Sequence, residues 1–434
     1  MSGWSNWSGL ETATPTEVVV PDSTEAVVRA VQRAAERGGT VKMVGTGHSF
    51  TSISAPEGTM LKPDRQSGIL SVDRAAMTVT ARAGTPLHLL NSELERLGLS
   101  LHNMGDIAEQ TLAGATSTGT HGTGGLKASL SAQLSGLELV TGDGTLLRAS
   151  RTENADVFAA ARIGLGALGV LTTLTFDVEP LGLLEAHEMP ISWNEGLARY
   201  DELIAENHHC DLYWFPHSEC MQVKTNNRLD ANREPAEPLS RLRSWFDDDL
   251  IANSAFGLIN AIGNRRPQWV PAFNRLAGRM LSERRYSDVP HRVFTTPRKV
   301  VFREMEYAVP REAGLTALRE ARAVIERHDW AISFPVEIRQ TPADDITLGT
   351  STGRESMYLA FHVNAATDHR AYFGAMEEVM VAHGGRPHWG KVHTRTAADL
   401  AEAYPRFEEF LALRERLDPE RVFANSYLRR VLGD

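Results

Sequence analysis

The chain contains very little cysteine: only Cys210 and Cys220 occur in its 434 residues. One disulfide is conceivable, but two free thiols are more typical of a chain this long in a reducing compartment. The N-terminus also lacks the basic segment and following apolar run of a secretory leader. We therefore predict free thiols and a cytoplasmic location.

An excess of positive charge and long apolar runs are missing too. The 45 Lys and Arg residues face 55 Asp and Glu residues, giving a formal net charge of −10 without a basic tail. Nucleic acid is therefore not expected as a partner, because its phosphates are bound by Lys and Arg. No run approaches the roughly 18 apolar residues of a membrane span, so we predict no transmembrane segment. The length predicts two domains.

Several catalytic signatures are absent. His388 and His393 have no acidic or cysteine ligand at H-E-x-x-H spacing, so we predict no metal site. There is no G-x-S-x-G motif, and Ser49 lying beside His48 in sequence does not establish a catalytic triad. Residues 164–169, GLGALG, do match G-x-G-x-x-G. However, a helical pattern precedes them and a β-branched run follows, which is the reverse of the dinucleotide-binding order.

The elements that are present predict an α+β fold. The pattern of residues 17–44 is typical of a strand, a helix and a second strand, with Asp22 and Glu25 at capping-box spacing. Residues 137–150 are typical of a β-hairpin. After about residue 180 the strands become longer and alternate, at 298–310, 331–340 and 356–365, with a helical stretch at 311–329 between them. This pattern predicts an antiparallel sheet with helices on one face. Residues 232–283 are predicted to be mostly helical or irregular.

Glycine is concentrated in three segments of the first 170 residues, at 44–51 (VGTGHSFT), 111–125 and 164–169. The first directly follows a buried strand, a common position for functional loops. None carries the Lys-Ser/Thr of a P-loop, yet backbone amides alone can cradle phosphate. The segments indicate either a long ligand with a central diphosphate or three ordinary tight turns.

Polar pairs mark the second half of the chain. Glu337 and Arg339 lie two apart on a predicted strand, as do His362 and Asn364 on another, so each pair shares one face. Such faces form either the floor of a cavity or a solvated surface, and Glu337 and Arg339 could simply form a salt bridge. The segment 386–393, RPHWGKVH, has the composition of a packed functional loop.

Taken in order, these segments resemble a known family. GTGHSF, GATSTGTHGTG, GALGV, EIR, FHV, HWGK and LDPERVFANSY occur in the order found in vanillyl-alcohol-oxidase-type flavoproteins, and the resemblance covers essentially the whole chain. Within that group the chain is similar to the sugar-1,4-lactone oxidases and dehydrogenases, with alditol oxidases as close relatives. The resemblance implies a two-domain PCMH-type fold. Residues 1–180 and a tail from about 416 to 434 would bind FAD, and residues 181–415 would form a cap domain with an antiparallel sheet.

The resemblance also implies the site. His48 would be joined covalently to the flavin 8α-methyl group, which prevents FAD from dissociating and makes the flavin a better hydride acceptor. The implied cofactor-binding residues are Gly45, Thr46, Gly47, His48, Ser49, Phe50, Gly105, Ser117, Thr118, His121, Gly122, Thr123, Gly166, Gly169, Val170, His388 and Lys391. The implied catalytic residues are Glu337, Arg339, Lys391 and His362, and the implied substrate-binding residues are Asp106, Glu337, Arg339, Asn364 and Lys391.

The implied reaction moves a hydride from substrate C2 to flavin N5 while a base takes the hydroxyl proton. Glu337 and Lys391 are candidates for that base, followed by His362 and His388, and Arg339 and Lys391 are suited to stabilise negative charge. Gly105 falls where some dehydrogenase relatives have alanine, which favours dioxygen as electron acceptor over another acceptor. Asp106 falls where alditol-oxidising relatives have serine, which favours a lactone.

The expected activity is therefore oxidation of an aldono-1,4-lactone, foremost L-gulono-1,4-lactone, to ascorbate or an analogue. An alditol oxidase acting on xylitol or sorbitol is the alternative on the same scaffold. A flavin-holding or sugar-binding protein without turnover is a third hypothesis, which the presence of Glu337, Arg339 and Lys391 disfavours.

Overall fold

The computed structural model describes residues 3–229, 235–239, 265–296 and 300–433. Of the segment 232–283, only 235–239 and 265–283 are therefore described. A short N-terminal hairpin comes first, with β1 (Trp4–Ser5) antiparallel to β2 (Thr12–Ala13). It lies against the loop that contains His48, as described below.

A three-stranded parallel sheet follows the hairpin. It consists of β3 (Glu17–Val19), β4 (Val41–Met43) and β5 (Thr59–Leu61), in the order β3-β5-β4, and α1 (Thr24–Glu36) connects β3 to β4. The predicted strand–helix–strand unit is thus confirmed, with one correction at the helix start. The N-cap is Ser23 rather than Asp22, because the Ser23 side chain accepts a hydrogen bond from the Ala26 amide.

Next comes a five-stranded antiparallel sheet, in the order β10-β9-β11-β7-β6. The elements of this part are β6 (Ile69–Asp73), β7 (Thr78–Arg82), α2 (Leu87–Arg96), β8 (Leu99–Ser100), α3 (Leu112–Thr118), β9 (Leu134–Val140), β10 (Leu146–Ser150), α4 (Ala155–Ala161), β11 (Val170–Asp177) and β12 (Glu179–Pro180). The predicted hairpin is formed by β9 and β10. The loop at 164–169 lies between α4 and β11, so a helix precedes it and a strand follows it, as the sequence predicts.

An eight-stranded antiparallel sheet dominates the second half, in the order β16-β13-β15-β14-β18-β19-β17-β20. Its elements are β13 (Leu183–Ser192), α5 (Trp193–Ala198), α6 (Tyr200–Glu206), β14 (His209–Trp214), β15 (Cys220–Leu229), α7 (Val270–Met280), β16 (Arg284–Asp288), α8 (Pro290–Phe294), β17 (Phe302–Pro310), α9 (Arg311–His328), β18 (Val336–Thr341), β19 (Ser356–Asn364), α10 (Arg370–Ala382) and β20 (Arg386–Pro387). The predicted antiparallel sheet and the α+β class are confirmed.

The two faces of this large sheet have opposite character. Met305, Ile338, Leu359 and Phe361 project from one face into a core shared with α9 and α10. Full burial of such a side chain contributes about 1.5–3 kcal/mol, so this face fixes the register of each strand. Because strand side chains alternate, residues at the intervening positions point to the opposite face, where the candidate site lies.

The C-terminal helices return to the first half of the chain. They are α11 (Ala397–Ala403), α12 (Phe407–Leu417) and α13 (Ser426–Leu432). Leu400, Phe410 and Tyr427 share a core with side chains of the five-stranded sheet, so the return is already under way at Leu400. The domain bounds drawn from the sequence stay predictions.

The sequence predicts free thiols and no membrane-spanning segment. Cys210 and Cys220 are free thiols. Within the described ranges, no helix has both the length and the apolar character to cross a membrane.

Candidate active site

The loop containing His48 begins where β4 ends. The Val44 amide donates to the Leu61 carbonyl and extends the pairing between strands, and Gly47 then adopts φ +73°, a conformation that favours glycine. The Phe50 amide donates to the Gly390 carbonyl at 2.7 Å. The loop is thereby held between the small parallel sheet and the HWGK segment, which places His48 at the junction of the two halves of the chain.

A cleft of about 820 Å³ runs from this loop across the first half of the chain. Ten of the predicted cofactor residues line it: Gly45, Thr46, Gly47, His48, Ser49, Ser117, Thr118, Gly166, Gly169 and Val170. The structure thus brings all three glycine segments to one cavity.

The chemistry of the cleft fits FAD. Its walls carry loop backbone and the hydroxyls of Thr46, Ser49, Thr111 and Ser117, which suits the hydrogen-bonding needs of a diphosphate. Gly45 has no room for a side chain, because a Cβ atom there would lie 2.4 Å from the Thr111 Oγ1 atom. The backbone of Gly45 therefore lines the cleft directly. These residues would hold FAD, which supplies a hydride acceptor.

The His48 imidazole is suited to form a covalent bond. Its ring lines the cleft and is half-buried, and burial lowers the pKa of His48 below its ordinary value. Glu109 opposes this shift and Lys391 reinforces it. The ring is therefore neutral near pH 7 and keeps a free lone pair, as a nucleophile requires.

A second cavity of about 490 Å³, which we call the chamber, lies beside the cleft. His48, Ser49, Gln110 and Thr118 line both cavities, so the two are continuous at the His48 loop. The predicted residues that line the chamber are His48, Ser49, Phe50, Gly105, Asp106, Thr118, His121, Arg339, His388 and Lys391.

The polar face of the large sheet forms the floor of the chamber. Glu306 and Glu337 each pair with Ala360, one from either side, so two carboxylates flank one small residue. One step along the strands, Glu304 pairs with His362. Directly paired residues share a face, so the two predicted polar strands and β17 contribute to the same surface.

Arg339 is the centre of one charge cluster. Its guanidinium lies 2.6 Å from Glu337, 3.3 Å from Asp211 and 3.8 Å from Asp106. Burial opposes the charge, but these carboxylates, with Glu337 first, raise the pKa of Arg339. Burial raises the pKa of Asp211 to about 6, although Arg339 opposes this shift. Arg339 is a fixed cation that orients several acidic groups.

Lys391 is the centre of the other cluster. Its ammonium forms an ion pair with Glu304, and the ring of Phe50 lies 5.2 Å away. Burial opposes the charge, but Glu304 and Glu306 raise the pKa of Lys391. Burial likewise opposes ionisation of Glu304, yet Lys391 and His362 lower the pKa of this carboxyl. Lys391 is held as an ammonium group, which disfavours its predicted role as a base and favours charge stabilisation.

Two histidines of the chamber have tautomers set by the backbone. The Gly390 amide donates to His388 Nδ1, so a neutral His388 ring carries its proton on Nε2. Burial lowers the pKa of His388 to about 3, so the ring is a neutral hydrogen-bond donor. His121 Nδ1 lies 2.8 Å from the Gly122 carbonyl and therefore donates, which leaves Nε2 facing Glu306 at 3.3 Å.

His121, Glu306 and His388 also form the one group in the described part of the chain whose spacing could hold a metal ion. The hydrogen bonding opposes this reading for His388, because one nitrogen accepts an amide proton and the other carries the ring proton. His121 lowers the pKa of Glu306 to about 2 despite the opposing effect of burial. That no metal is used stays a prediction.

Some predicted residues are not brought into either cavity. Thr123 Oγ1 donates to the Cys210 carbonyl at 2.6 Å and ties the second glycine segment to the large sheet. A Cβ atom on Gly122 would lie 2.4 Å from the Met104 carbonyl, so that glycine permits close packing. Asn364 lines a separate cleft beside Trp330 and accepts a hydrogen bond from the Ala366 amide.

Two other predicted residues lie just behind the chamber wall. Glu337 lies 2.6 Å from Arg339, which itself lines the chamber. His362 lies 3.5 Å from Glu304. The rings of Phe302 and Phe334 pack against His362. Asn364 and the chamber thus belong to different cavities, although His362 and Asn364 share a strand face.

Several residues of the site were not predicted from the sequence. Glu304 and Glu306 alternate with apolar residues in FREMEY, which is the same period-two signal that pointed to Glu337 and Arg339. Lys42, a buried lysine in the strand before the His48 loop, lines the cleft and donates to the Gly166 carbonyl. Asp211 gave no local signal, because its relevance depends on β14 pairing with β18.

Known proteins match the chain over its whole length. The family described as D-arabinono-1,4-lactone oxidase matches residues 174–431, and a family described as FAD binding domain matches residues 15–150. An L-gulono-1,4-lactone dehydrogenase of Mycobacterium tuberculosis is 40% identical over 99% of both chains. An L-gulonolactone oxidase of mouse is 33% identical over 99% of this chain and 98% of that protein. An alditol oxidase of a Streptomyces species is 31% identical with the same coverage.

Solved structures confirm the predicted fold. A cholesterol oxidase from Brevibacterium sterolicum superposes with a TM-score of 0.83, covering 99% of this chain and 97% of that chain, at 18% identity. At that identity the likeness speaks for the fold alone. The family matches and the similar full-length proteins identify the protein as an FAD-binding oxidoreductase that acts on CH–OH donors. The chain belongs to the D-arabinono-1,4-lactone oxidase family.

Proposed function

We propose that the protein oxidises a neutral aldono-1,4-lactone, foremost L-gulono-1,4-lactone, bound in the chamber beside FAD. The observation that carries this proposal is the surplus of hydrogen-bond acceptors around the chamber. Arg339 and Lys391 are its two fixed cations, and the surrounding carboxylates are Asp106, Asp211, Glu304, Glu306 and Glu337. Such a site suits the hydroxyl donors of an uncharged sugar derivative and repels an anionic one.

The protein residues divide the remaining work. FAD, when bound, would supply the acceptor for a hydride from the substrate C2 carbon. Of the two foremost candidate bases, Lys391 is already protonated. Glu337 therefore takes the hydroxyl proton: its carboxylate lies immediately behind the chamber wall, 2.6 Å from Arg339, and hydrogen bonds to a substrate can tighten when the substrate binds. Arg339 and Lys391 stabilise negative charge that develops on the substrate, and the His388 Nε2–H group is a neutral donor beside them.

The test is anaerobic reduction of the bound flavin by a panel of ligands. L-Gulono-1,4-lactone and related aldonolactones should bleach the flavin absorbance, whereas the corresponding aldonate should neither bleach it nor compete. Faster bleaching by xylitol or sorbitol would instead establish that the protein is an alditol oxidase. This alternative is supported by the similarity to the Streptomyces alditol oxidase. Binding of lactone without any bleaching would refute turnover.

Dioxygen is the proposed acceptor of the electrons. A Cβ atom on Gly105 would lie 3.0 Å from the His121 carbonyl and 3.3 Å from Thr120 Cγ2, so glycine leaves open a space that alanine would narrow. Related proteins carry both names, dehydrogenase in Mycobacterium tuberculosis and oxidase in mouse. Reoxidation of the reduced enzyme in air and by a dye separates the two, and reoxidation by the dye alone would contradict the proposal.

The covalent bond between His48 and FAD is also proposed, on the strength of the neutral, half-buried ring that lines the cleft. Flavin should remain with the wild-type protein after acid precipitation and should be released from His48→Ala. Retention by His48→Ala would assign the bond to another residue. We further propose a cytoplasmic location, which the two free thiols support and which fractionation of the native cells would test.

A further inference from the structure

The N-terminal hairpin forms specific contacts with the His48 loop. The Trp7 amide donates to the Gly47 carbonyl at 2.8 Å, and Asn6 Nδ2 donates to the Ser49 carbonyl at 2.9 Å. Asn6 is only 4% exposed, and its Oδ1 accepts from the Glu11 amide across the hairpin turn. The backbone on both sides of His48 is therefore bound to the first residues of the chain.

Among the residues that the structure describes, one aromatic ring contacts the imidazole. The Trp7 indole stacks on the His48 ring with a centroid distance of 5.5 Å and an interplanar angle of 26°. Among the described residues, no hydrogen bond to a nitrogen of this ring occurs, so the stack is the contact that restrains its rotation. Trp7 is held in turn by Phe50 and Phe302, whose rings it meets nearly edge-on at 6.3 and 5.2 Å.

The stack with Trp7 occupies one face of the imidazole, and His48 lines both the cleft and the chamber. A side chain that had to form a bond while rotating freely would lose rotational entropy in the transition state. A ring already fixed in plane avoids that loss. The burial that keeps His48 neutral comes from the same surroundings.

We propose that Trp7 is a positioning residue for covalent attachment of FAD, because it holds the His48 imidazole in the orientation that bond formation needs. This inference rests on the proposed His48–flavin bond. In that step one imidazole nitrogen bonds to the flavin 8α carbon while an N–H and a C–H proton are lost. The two electrons released pass through the flavin to dioxygen, giving hydrogen peroxide.

The test follows attachment itself rather than turnover. Full-length protein is produced in riboflavin-limited cells and incubated with FAD in air, and flavin that survives acid precipitation is measured over time. Trp7→Ala should bind FAD but attach it about 10- to 100-fold more slowly than wild type, the cost expected of a misplaced reacting group. Trp7→Phe, which keeps an aromatic face, should attach it at close to the wild-type rate.

Trp4→Ala is the matched control, since Trp4 belongs to the same hairpin and no ring contact joins it to His48 within the described ranges. It should attach FAD normally. If Trp7→Ala does not fold, Trp7→Leu replaces it, because leucine preserves apolar packing against Phe50 and Phe302 without an aromatic face. Leucine should then be slow and phenylalanine fast.

The outcomes separate this inference from the proposed bond. Wild-type protein that never retains flavin after acid would overturn both. Wild-type protein that retains flavin, with Trp7→Ala or Trp7→Leu attaching it as fast as Trp7→Phe, would overturn the role of Trp7 alone. Equal slowing by Trp4→Ala would assign the effect to the hairpin as a whole and would also overturn it.

Discussion

The cleft and the chamber adjoin at His48 but are built from different parts of the polypeptide. The cleft is lined mainly by loop backbone and hydroxyls, with the buried Lys42 side chain at one side. The chamber is bordered by charged side chains that project from strands of the large sheet and from the HWGK segment. One site recognises its ligand through main-chain geometry, and the other through charge.

This difference determines how each site responds to substitution. A backbone-lined cleft is sensitive where an added Cβ atom collides, and otherwise tolerant. A buried charge cluster is sensitive at every member, because removing one charge leaves its partner uncompensated. Substitutions in the chamber should therefore have larger effects than substitutions in the cleft, and three predictions test that order.

The largest effect is expected for Glu337→Gln. The amide keeps the shape of the side chain but cannot take the hydroxyl proton, so anaerobic flavin reduction by lactone should slow about 10²–10⁴-fold. Stopped-flow absorbance measures it. The control is Glu355→Gln, an exposed residue paired with Arg311, which should reduce normally. A rate close to wild type in Glu337→Gln would assign the proton to another group of the chamber.

A smaller effect, on stability, is expected for Lys391→Met. This change leaves Glu304 buried without its cation, and the free energy of unfolding should fall by about 3 kcal/mol. The double variant Glu304→Gln/Lys391→Met removes both charges and should recover most of that loss. Urea unfolding monitored by tryptophan fluorescence gives the three values. A double variant as unstable as Lys391→Met would show that packing, rather than charge, explains the loss.

Much of the fold follows from local pattern. The helix predicted in the second half coincides with α9, and the alternating segments coincide with β17, β18 and β19, because period and chain direction are local properties. The start of α1 was wrong by one residue, since Asp22 and Ser23 both have the chemistry of an N-cap and only the backbone geometry chooses between them.

The chamber was predictable only in part. Alternation put Glu337 and Arg339 on one face, but which strands lie beside them depends on pairings between distant segments. β14 supplies Asp211 from 128 residues away, and no local signal carries that information. For His362 and Asn364, alternation predicted a common strand face. It could not show that Phe302 and Phe334 pack beside His362, or that Asn364 lines a separate cleft.

The smallest effect is expected in the cleft, for Gly45→Ala. The new Cβ atom would lie 2.4 Å from Thr111 Oγ1, which accepts from the Gly114 amide as the N-cap of α3. Displacing that hydroxyl should cost about 1 kcal/mol of capping free energy at the start of α3. Because α3 lines the cleft, we expect this cost to fall on the FAD-binding conformation, which corresponds to about fivefold weaker FAD binding.

Titration of FAD in the His48→Ala background, where binding is reversible, measures the change. Gly182→Ala is the matched control, since a Cβ atom there meets no atom within 4 Å. The cleft is more tolerant than the chamber only if this loss stays below that of Lys391→Met. A loss of several kcal/mol would show that the glycine backbone itself is as sensitive as the buried charges.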